Sequence, residues 1–362
     1  MKRFIGYERG MGIGGWLTNY KRFNCLPVER RLTLTIGDFE HFKGYITEND
    51  VRYISELGMD HIRLGFDQIV LEETPGVYRE EILDIIGRFI GWCEKYGLRA
   101  VLNLHKAIGN YCDIEEEVGL FDSDELQERF IKLWEKLEDR FSGKSGIAFE
   151  LLNEVRDVPP EKWNDLAEKT IKTIRSKNSS RKIIIGSTCW NSISALDKLK
   201  IFDDENVIYT FHTYDPFSFT HQRGVLQPLP LYYNREMPYP GDIEYYRDFE
   251  RVANNKENTY VGYAVMDYRY LADNLKPVKE FIKRNPDKIL WCGEFGTIRH
   301  CRLKWRENWM RDVIKFLKEN EIPYCVWNYL STPNDGNRFS LVDDDARKIL
   351  SEDLAEIIKG NV

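Results

Sequence analysis

Eight short apolar runs, spread over the whole 362 residues, constrain the fold of this chain more than any other feature of its sequence. Each run has the length of a β-strand and is bounded by turn-forming residues. Most are continuous rather than alternating in hydrophobicity, which is typical of strands covered on both faces and favours a parallel sheet. The predicted strands are 10–16, 60–67, 98–105, 147–154, 182–188, 207–214, 289–296 and 324–330.

Segments with helical periodicity and helical end signals separate these runs. They are 47–57, 79–96, 122–141, 160–177, 274–284 and 305–320, with a short crossover around 193–199 and a closing helix at 352–359. Eight strands that alternate with helices over this length predict an α/β fold, a (β/α)8 TIM barrel, rather than an open doubly wound sheet. We expect residues 1–362 to form a single barrel domain.

Two connections are longer than a barrel needs. About 75 residues separate the sixth predicted strand from the seventh, and twelve Phe and Tyr lie within 215–270, a composition far from that of a disordered segment. We interpret 215–270 as an inserted subdomain that walls one side of the barrel mouth. The alternative is an insertion that only covers apolar surface. The stretch VERRLTLTIGDF at 28–39 is predicted to add a strand or hairpin to the first loop.

The composition narrows the class of protein. With 42% hydrophobic and 31% charged residues, the chain is not disordered. A net charge of −7 disfavours a nucleic-acid or anionic-membrane partner. Its seven cysteines lack C-x-x-C spacing, so we interpret them as reduced core thiols. No signal peptide or membrane span is evident, so we expect a cytoplasmic protein, or a secreted one whose leader was removed.

Polar and aromatic residues at the ends of the predicted strands are the candidate functional residues, because the reacting groups of a (β/α)8 barrel come from the C-terminal ends of its strands. The candidates are Arg63, His105, Asn153, Glu154, His212, Tyr214, Glu294 and Trp327. Each of them alone could have a purely structural role, for example as a helix cap, as part of a core ion pair or as a histidine whose hydrogen bonds are all made inside the barrel. Their occurrence together favours a functional site.

Two of these residues, Glu154 and Glu294, belong to the fourth and seventh strands, which lie across the barrel from one another. Two facing carboxyl groups suit glycoside hydrolysis, in which retention needs a separation of about 5 to 5.5 Å and inversion a wider gap. Two close carboxylates do not both ionise freely, so one is expected to be protonated and to serve as the acid. Arg63 near the other would keep it ionised.

Several motifs resemble glycoside hydrolase family 5, the cellulase-type retaining barrels. They are HIRLGFD, LNLHKAIGNY, ELLNEV, FHTYDP, WCGEFG and VWNYL. The insertion after the sixth strand resembles that of a subgroup of small endoglucanases. The resemblance implies that Glu154 is the acid/base and Glu294 the nucleophile.

The same resemblance implies roles for the remaining candidates. Asn153 would hydrogen-bond the sugar 2-hydroxyl, Tyr214 would orient Glu294, and Arg63 would hold the nucleophile as an anion. His105 and His212 would bind sugar hydroxyls or support the glutamates. Trp327 would form the floor of the subsite on the non-reducing side of the scissile bond. Further sugar platforms are expected among Trp16, Tyr111, Trp190, Phe217 and Tyr232.

These residues predict an endo-β-glucanase that hydrolyses β-1,4 bonds in cellulose-type or mixed-linkage glucans by double displacement. The alternatives are a β-mannanase or exo-acting β-glucosidase of the same family, or a non-catalytic carbohydrate-binding barrel. We expect a monomer without a cofactor or metal, since two carboxylates need none and the six histidines occur singly.

The segment GMGIGG at 10–15 matches G-x-G-x-x-G and raises a dinucleotide-binding dehydrogenase as a rival class. A true fingerprint follows an apolar strand and opens a helix, and neither flank of this segment fits. We therefore interpret the glycines as part of the first barrel strand, where small residues admit neighbouring strands.

Overall fold

A closed barrel of eight parallel strands forms the centre of the molecule. The computed structural model describes residues 2–18, 34–111, 118–225, 228–332 and 335–362. Consecutive strands pair in chain order, and β1 closes the ring by pairing with β8. This confirms the predicted TIM barrel. The strands are β1 (Arg9–Leu17), β2 (His61–Asp67), β3 (Arg99–Lys106), β4 (Ile147–Glu150), β5 (Lys182–Gly186), β6 (Val207–His212), β7 (Ile289–Glu294) and β8 (Tyr324–Val326).

Helices surround the barrel and cover its outer face. The helices that cross between consecutive strands are Glu48–Glu56, Glu80–Lys95, Asp124–Phe141, Pro160–Lys177, Lys276–Arg284 and Leu303–Glu319, and Glu352–Ile358 follows β8. A short 3₁₀ helix, Ile193–Lys198, makes the fifth crossover. Because helices and interior side chains cover both faces, every residue of β2, β6 and β7 is buried.

Apolar side chains fill the barrel interior at the N-terminal ends of the strands. This cluster consists of Phe4, Tyr7, Val101, Ala148, Ile184, Ile208, Ile289, Trp291 and Cys325. Because it closes this end of the barrel, the polar inward positions further along the strands face the opposite end. A pocket at the C-terminal face is the result.

The glycines of β1 make room for side chains of the neighbouring strands. A Cβ atom at Gly10 would lie 2.1 Å from Nε2 of His61. At Gly12 and Gly14 it would lie 2.7 and 2.6 Å from the ring of Trp327. The GMGIGG segment is therefore the first barrel strand, as predicted, and its missing side chains let Trp327 enter the pocket.

The connection from β6 to β7 has secondary structure of its own. Before the crossover helix it contains the helices Phe217–Thr220, Pro228–Tyr233, Ile243–Asn254 and Tyr268–Asn274. A two-stranded antiparallel ribbon pairs Gly241–Asp242 with Val265–Met266. Tyr246, Phe249 and Met266 are buried there.

The strand or hairpin predicted for VERRLTLTIGDF is wrong for the residues that the structure describes. Residues 28–33 lie outside that part, but Ile36–Gly44 is a helix. The reason is local, because Asp38 accepts hydrogen bonds from the backbone N–H and the hydroxyl of Thr35, at 2.6 and 2.8 Å. This is half of a capping box, which starts a helix.

Five of the seven cysteines lie in the described residues and all five are free thiols. Cys93, Cys292, Cys301 and Cys325 are buried, whereas Cys189 is partly exposed. Cys25 and Cys112 lie outside the described residues. Within the described ranges, none of the helices combines the length and the apolar character needed to cross a membrane.

Candidate active site

The candidate residues gather at the C-terminal face of the barrel, although not all lie where the predicted strands end. β4 is shorter than predicted and ends at Glu150, so Asn153 and Glu154 belong to the loop after it. His212 and Glu294 are the last residues of β6 and β7. Arg63 lies in the middle of β2 rather than at its end, and reaches the pocket through the length of its side chain.

Glu154 and Glu294 face each other across the pocket, with His212 between them. Nδ1 of His212 lies 2.9 Å from Oε1 of Glu154 and 3.8 Å from Oε2 of Glu294. One oxygen of each carboxyl group and a ring nitrogen of His212 all lie within 4.8 Å of one another. This spacing falls on the retaining side of the separation that divides the two mechanisms of glycoside hydrolysis.

Glu294 is held as an anion. Nη1 of Arg63 donates to its Oε1 at 2.5 Å, and the hydroxyl of Tyr214 donates to Oε2 at 2.8 Å. Burial alone would raise the pKa of Glu294, but His212, Arg63 and the Tyr214 hydrogen bond outweigh it and hold that pKa below its usual value. Burial and the neighbouring carboxylate keep the pKa of Tyr214 well above its usual value, so Tyr214 remains a donor.

Glu154 has the opposite electrostatic environment. Burial and the charge of Glu294 raise its pKa, although the contact with His212 works in the other direction. Its side chain keeps 20% of its surface exposed, so it faces the open cleft. The side-chain amide of Asn110 donates to the backbone carbonyl of Glu154 at 3.0 Å and fixes the loop. The pKa values of the two carboxyl groups are therefore shifted in opposite directions.

Arg63 connects the site residues beneath the pocket. Its Nε and Nη2 donate to the two oxygens of Glu150 at 2.5 and 2.8 Å, and Nη2 also donates to Oδ1 of Asn153 at 2.5 Å. Arg63 and Glu150 are fully buried. Glu150 was not among the residues predicted from the sequence. The signal was present, because an acidic residue inside a buried strand, in phase with the inward Ala148, needs a charged partner.

His105 and Trp327 form one wall of the pocket. Their rings stack with centroids 5.5 Å apart and planes 6° apart. The guanidinium carbon of Arg63 lies 5.9 Å from the Trp327 ring centroid. Nδ1 of His105 lies 3.1 Å from Oδ1 of Asn103, another inward residue that the sequence analysis missed. Trp327 thus presents a ring to the pocket from a fixed position.

The expected outer platforms divide into different environments. Trp16 is wrong as a platform, because it is 1% exposed and donates its Nε1–H to the carbonyl of Phe42. Gly15 has a φ of +70° and the β1–β2 register shifts beside it, so Trp16 does not follow the inward phase of the glycines. Trp190 is 42% exposed and its backbone N–H bonds the carbonyl of Val155, next to Glu154.

The other three expected platforms differ in burial and in their neighbours. Tyr111 is buried. Phe217 stacks on His221 with centroids 3.8 Å apart. Tyr232 is 75% exposed on the helix Pro228–Tyr233.

Glu154, His212 and Glu294 also form a donor set of the kind that binds a divalent cation. The expectation from singly occurring histidines did not foresee that His212 would meet two carboxylates. However, both oxygens of Glu294 already accept hydrogen bonds, one of them from the cationic Arg63. The set is therefore better suited to acid–base and nucleophilic chemistry than to holding a cation.

Known proteins resemble this chain over nearly all of its length. The family model for cellulase, glycosyl hydrolase family 5, matches residues 27–332. Endoglucanase C of Acetivibrio thermocellus is 35% identical over 360 residues, which cover 98% of both chains. Cellodextrinase A of Ruminococcus flavefaciens is 34% identical over 327 residues, covering 89% of this chain and 85% of that protein.

Solved structures share the fold. A hyperthermophilic endo-beta-1,4-glucanase in complex with substrate superimposes with a TM-score of 0.74 at 22% identity, covering 98% of this chain and 97% of the other. Thermotoga maritima Cel5A in complex with mannotriose gives a TM-score of 0.74 at 25% identity, with 97% of each chain covered. The family match over most of the chain and the 35% identity to an endoglucanase show that the chain belongs to glycosyl hydrolase family 5, the cellulase family.

Proposed function

We propose that this protein is a retaining endo-β-glucanase that hydrolyses β-1,4 bonds in cellulose-type or mixed-linkage glucans by double displacement. One observation carries the proposal: Glu154 and Glu294 face each other with carboxyl oxygens within 4.8 Å. A retaining glycosidase needs about 5 to 5.5 Å between its two carboxyl groups. Relatives named endoglucanase and cellodextrinase support the glucan substrate.

In the first step Glu294 attacks the anomeric carbon of the sugar. The bond between that carbon and the glycosidic oxygen breaks, and the leaving oxygen takes the proton of Glu154. Glu294 becomes a neutral glycosyl ester and Glu154 a carboxylate. Arg63 holds Asn153 in place. Asn153 can form a hydrogen bond with the sugar 2-hydroxyl as positive charge develops on the sugar ring.

In the second step a water molecule attacks the same carbon. Glu154 takes a proton from that water, and Glu294 leaves as a carboxylate. Two inversions at one carbon restore the β configuration. The lowered pKa of Glu294 favours the carboxylate, and the raised pKa of Glu154 favours the protonated acid, as the start of each cycle requires.

Substrate binding depends on the aromatic rings around this centre. Trp327 offers its face to the apolar side of a sugar in the subsite before the scissile bond. Trp190, exposed beside the loop that carries Glu154, is placed to contact a sugar beyond that bond. We further propose that residues 215–270 act as an inserted subdomain that lines one wall of the cleft.

Product analysis tests this proposal. Wild-type enzyme is incubated with mixed-linkage glucan, carboxymethyl-cellulose, glucomannan and cello-oligosaccharides, beside a Glu294→Ala control, and the products are separated by chromatography. We expect early release of mixed-length oligosaccharides from the first two polymers and nothing from the control. That result would also indicate that residues 215–270 line the cleft and do not block one of its ends.

The other outcomes identify the alternatives. Release of single sugars from short oligosaccharides alone would indicate an exo-glucosidase whose cleft is blocked at one end. Preferred cleavage of glucomannan would indicate a mannanase, an alternative favoured by the solved relative in complex with mannotriose. Binding without turnover by the wild type would indicate a carbohydrate-binding barrel.

A further inference from the structure

The proposed reaction changes the charge of a group that is paired with a buried cation. Arg63 is fully buried and donates to Glu294, which is an anion in the free enzyme and a neutral ester in the covalent intermediate. Leaving a buried charge without a partner costs several kcal/mol. Arg63 therefore needs a second counter-ion that does not react.

We propose that Glu150 is a positioning residue that serves as the permanent counter-ion of Arg63 through both steps of the reaction. This inference rests on the proposed function, since it assigns a role within that same cycle. It concerns a residue that does not touch substrate and acts only through Arg63.

The geometry around Glu150 supports this assignment. Both of its oxygens accept hydrogen bonds from Arg63, at 2.5 and 2.8 Å, in the bidentate arrangement that fixes a guanidinium plane. Neither Arg63 nor Glu150 has any exposed side-chain surface. With two of its nitrogens held by Glu150, Arg63 directs Nη1 at Glu294 and Nη2 at Asn153.

Glu150 also limits how strongly Arg63 stabilises the negative charge of Glu294. The negative charge of Glu150 offsets part of the positive charge of Arg63, so Arg63 lowers the pKa of Glu294 less than an unpaired guanidinium would. Without Glu150, Glu294 would be a weaker nucleophile and a better leaving group. The glycosyl ester would also leave Arg63 buried and unpaired. Both effects slow formation of the intermediate relative to its breakdown.

Only one of the groups around Glu294 changes in this experiment. The titratable and charged ones are Arg63 from β2, Glu150 and Glu154 from β4 and its following loop, His212 and Tyr214 from β6 and the residues after it, Cys292 from β7 and Cys325 from β8. The substitution Glu150→Gln removes one negative charge from this set and keeps the size of the side chain.

The chain offers a matched control in Glu138. It is also fully buried and pairs with an arginine through both oxygens, to Nε and Nη2 of Arg181 at 2.6 and 3.1 Å. This pair lies outside the site. The other hydrogen bonds described for Arg181 go to the backbone carbonyls of residues 141, 144 and 147, and none of these residues belongs to the site. Glu138→Gln therefore reports the general cost of neutralising a buried glutamate.

The experiment measures the pH dependence of kcat/KM and the pre-steady-state burst with an aryl cellobioside for the wild type, E150Q and E138Q. We expect E150Q to move the acid limb of kcat/KM to lower pH by about half a unit or more, since Glu294 loses a like-charged neighbour. We expect kcat/KM at the optimum to fall about tenfold or more, and the burst amplitude to shrink. E138Q should keep the wild-type profile and burst.

An acid limb in E150Q that stays at the wild-type position, or moves to higher pH, would overturn the proposal. So would an unchanged burst amplitude. These outcomes differ from failure of the proposed function, which would be seen as retained turnover in the Glu294→Ala control. If E150Q keeps the wild-type pH profile and E294A is inactive, the role proposed for Glu150 fails while the proposed function stands.

If E150Q does not fold, Glu294→Gln tests the same claim, because it neutralises the nucleophile as ester formation does. With Glu150 as the permanent counter-ion, E294Q should melt close to the wild-type temperature, whereas E138Q should melt well below it. A fall in the melting temperature of E294Q as large as that of E138Q would overturn the proposal, since Arg63 would then depend on Glu294 for its charge balance.

Discussion

Two buried arginine–glutamate pairs in this barrel have the same chemistry and different surroundings. Arg63 with Glu150 and Arg181 with Glu138 are both bidentate and both shielded from solvent. Arg181 directs its remaining donors at backbone carbonyls and so fastens the helix Asp124–Phe141 to the start of β4. Arg63 instead donates its remaining hydrogen bonds to Glu294 and Asn153.

The comparison teaches that burial and pairing do not identify a functional ion pair. What distinguishes the Arg63 pair is a third group that changes charge during the reaction. The Arg181 pair has only partners with fixed charge, so its role is to hold elements of the fold together. Substitutions in and around the two pairs should therefore separate activity from stability.

The largest expected effect is that of Glu294→Ala. Removal of the nucleophile should lower kcat at least about 10⁴-fold, in the range seen when a catalytic residue is deleted, while the melting transition stays cooperative. Steady-state kinetics on cello-oligosaccharides measures the loss. Added azide should restore turnover and yield the α-glycosyl azide, since it attacks from the face that Glu294 occupied. A β-glycosyl azide would assign Glu294 to the acid/base role instead.

Glu154→Ala should cost about 10²- to 10⁴-fold on natural substrates, the usual contribution of a general acid. An aryl glycoside whose leaving group needs no proton should lose far less in its first step. The raised pKa of Glu154 predicts the basic limb of the wild-type pH profile, because activity falls as that acid loses its proton. The variant should lack this limb. A persistent basic limb in kcat/KM would contradict the assignment.

Arg63→Lys should reduce kcat/KM about 10²-fold, since a lysine does not reproduce the bidentate contact with Glu150 while also reaching Glu294. The pKa of Glu294 is held low partly by Arg63, so its acid limb should move to higher pH in this variant. This direction is opposite to that expected for E150Q. Equal shifts of the same sign in the two variants would refute the division of roles around Arg63.

Trp327→Ala should act on binding more than on chemistry. Loss of a sugar platform is expected to raise KM about tenfold. The change in kcat should be smaller, because the Trp327 ring does not position the two glutamates. Gly12 and Gly14 of β1, which face the ring, have no side chain to fill the gap. Initial rates over a range of cellotetraose concentrations separate the two constants. A change confined to kcat would show that the ring positions the reacting groups.

The smallest effect on activity is expected from Arg181→Lys. Loss of the bidentate contact should destabilise the protein by about 3 kcal/mol, as expected when a buried ion pair is broken. Denaturant unfolding measures that loss, and the pH profile of the folded enzyme should match the wild type. A shifted acid limb would contradict the view that this pair is purely structural.

Much of the fold was predictable because barrel strands are buried on both faces and therefore appear as continuous apolar runs. All eight predicted runs overlap a barrel strand. Strand ends were predicted less well, since β4 stops at Glu150 where backbone pairing gives way to the loop that carries Asn153 and Glu154. The hydrophobicity of Leu151 and Leu152 continues past the last paired residue and conceals that boundary.

The residues found from sequence are those that were assigned to the ends of the predicted strands. Glu150 and Asn103 were missed because they lie inside the predicted strands 147–154 and 98–105, where only the alternation of inward and outward positions reveals their direction. Trp16 was misjudged because Gly15, with its positive φ, interrupts that alternation. Such a break depends on backbone geometry, which the residue types around it do not specify.

Proton NMR of the first-formed product is a direct test of double displacement, because it reads the stereochemistry that the spacing of Glu154 and Glu294 dictates. Cellotetraose is hydrolysed at high enzyme concentration, and the anomeric signals of the new reducing end are followed before mutarotation. A carboxyl spacing within 4.8 Å predicts that the β-anomer appears first and the α-anomer grows in only later. Initial appearance of the α-anomer would contradict double displacement and the roles assigned to both glutamates.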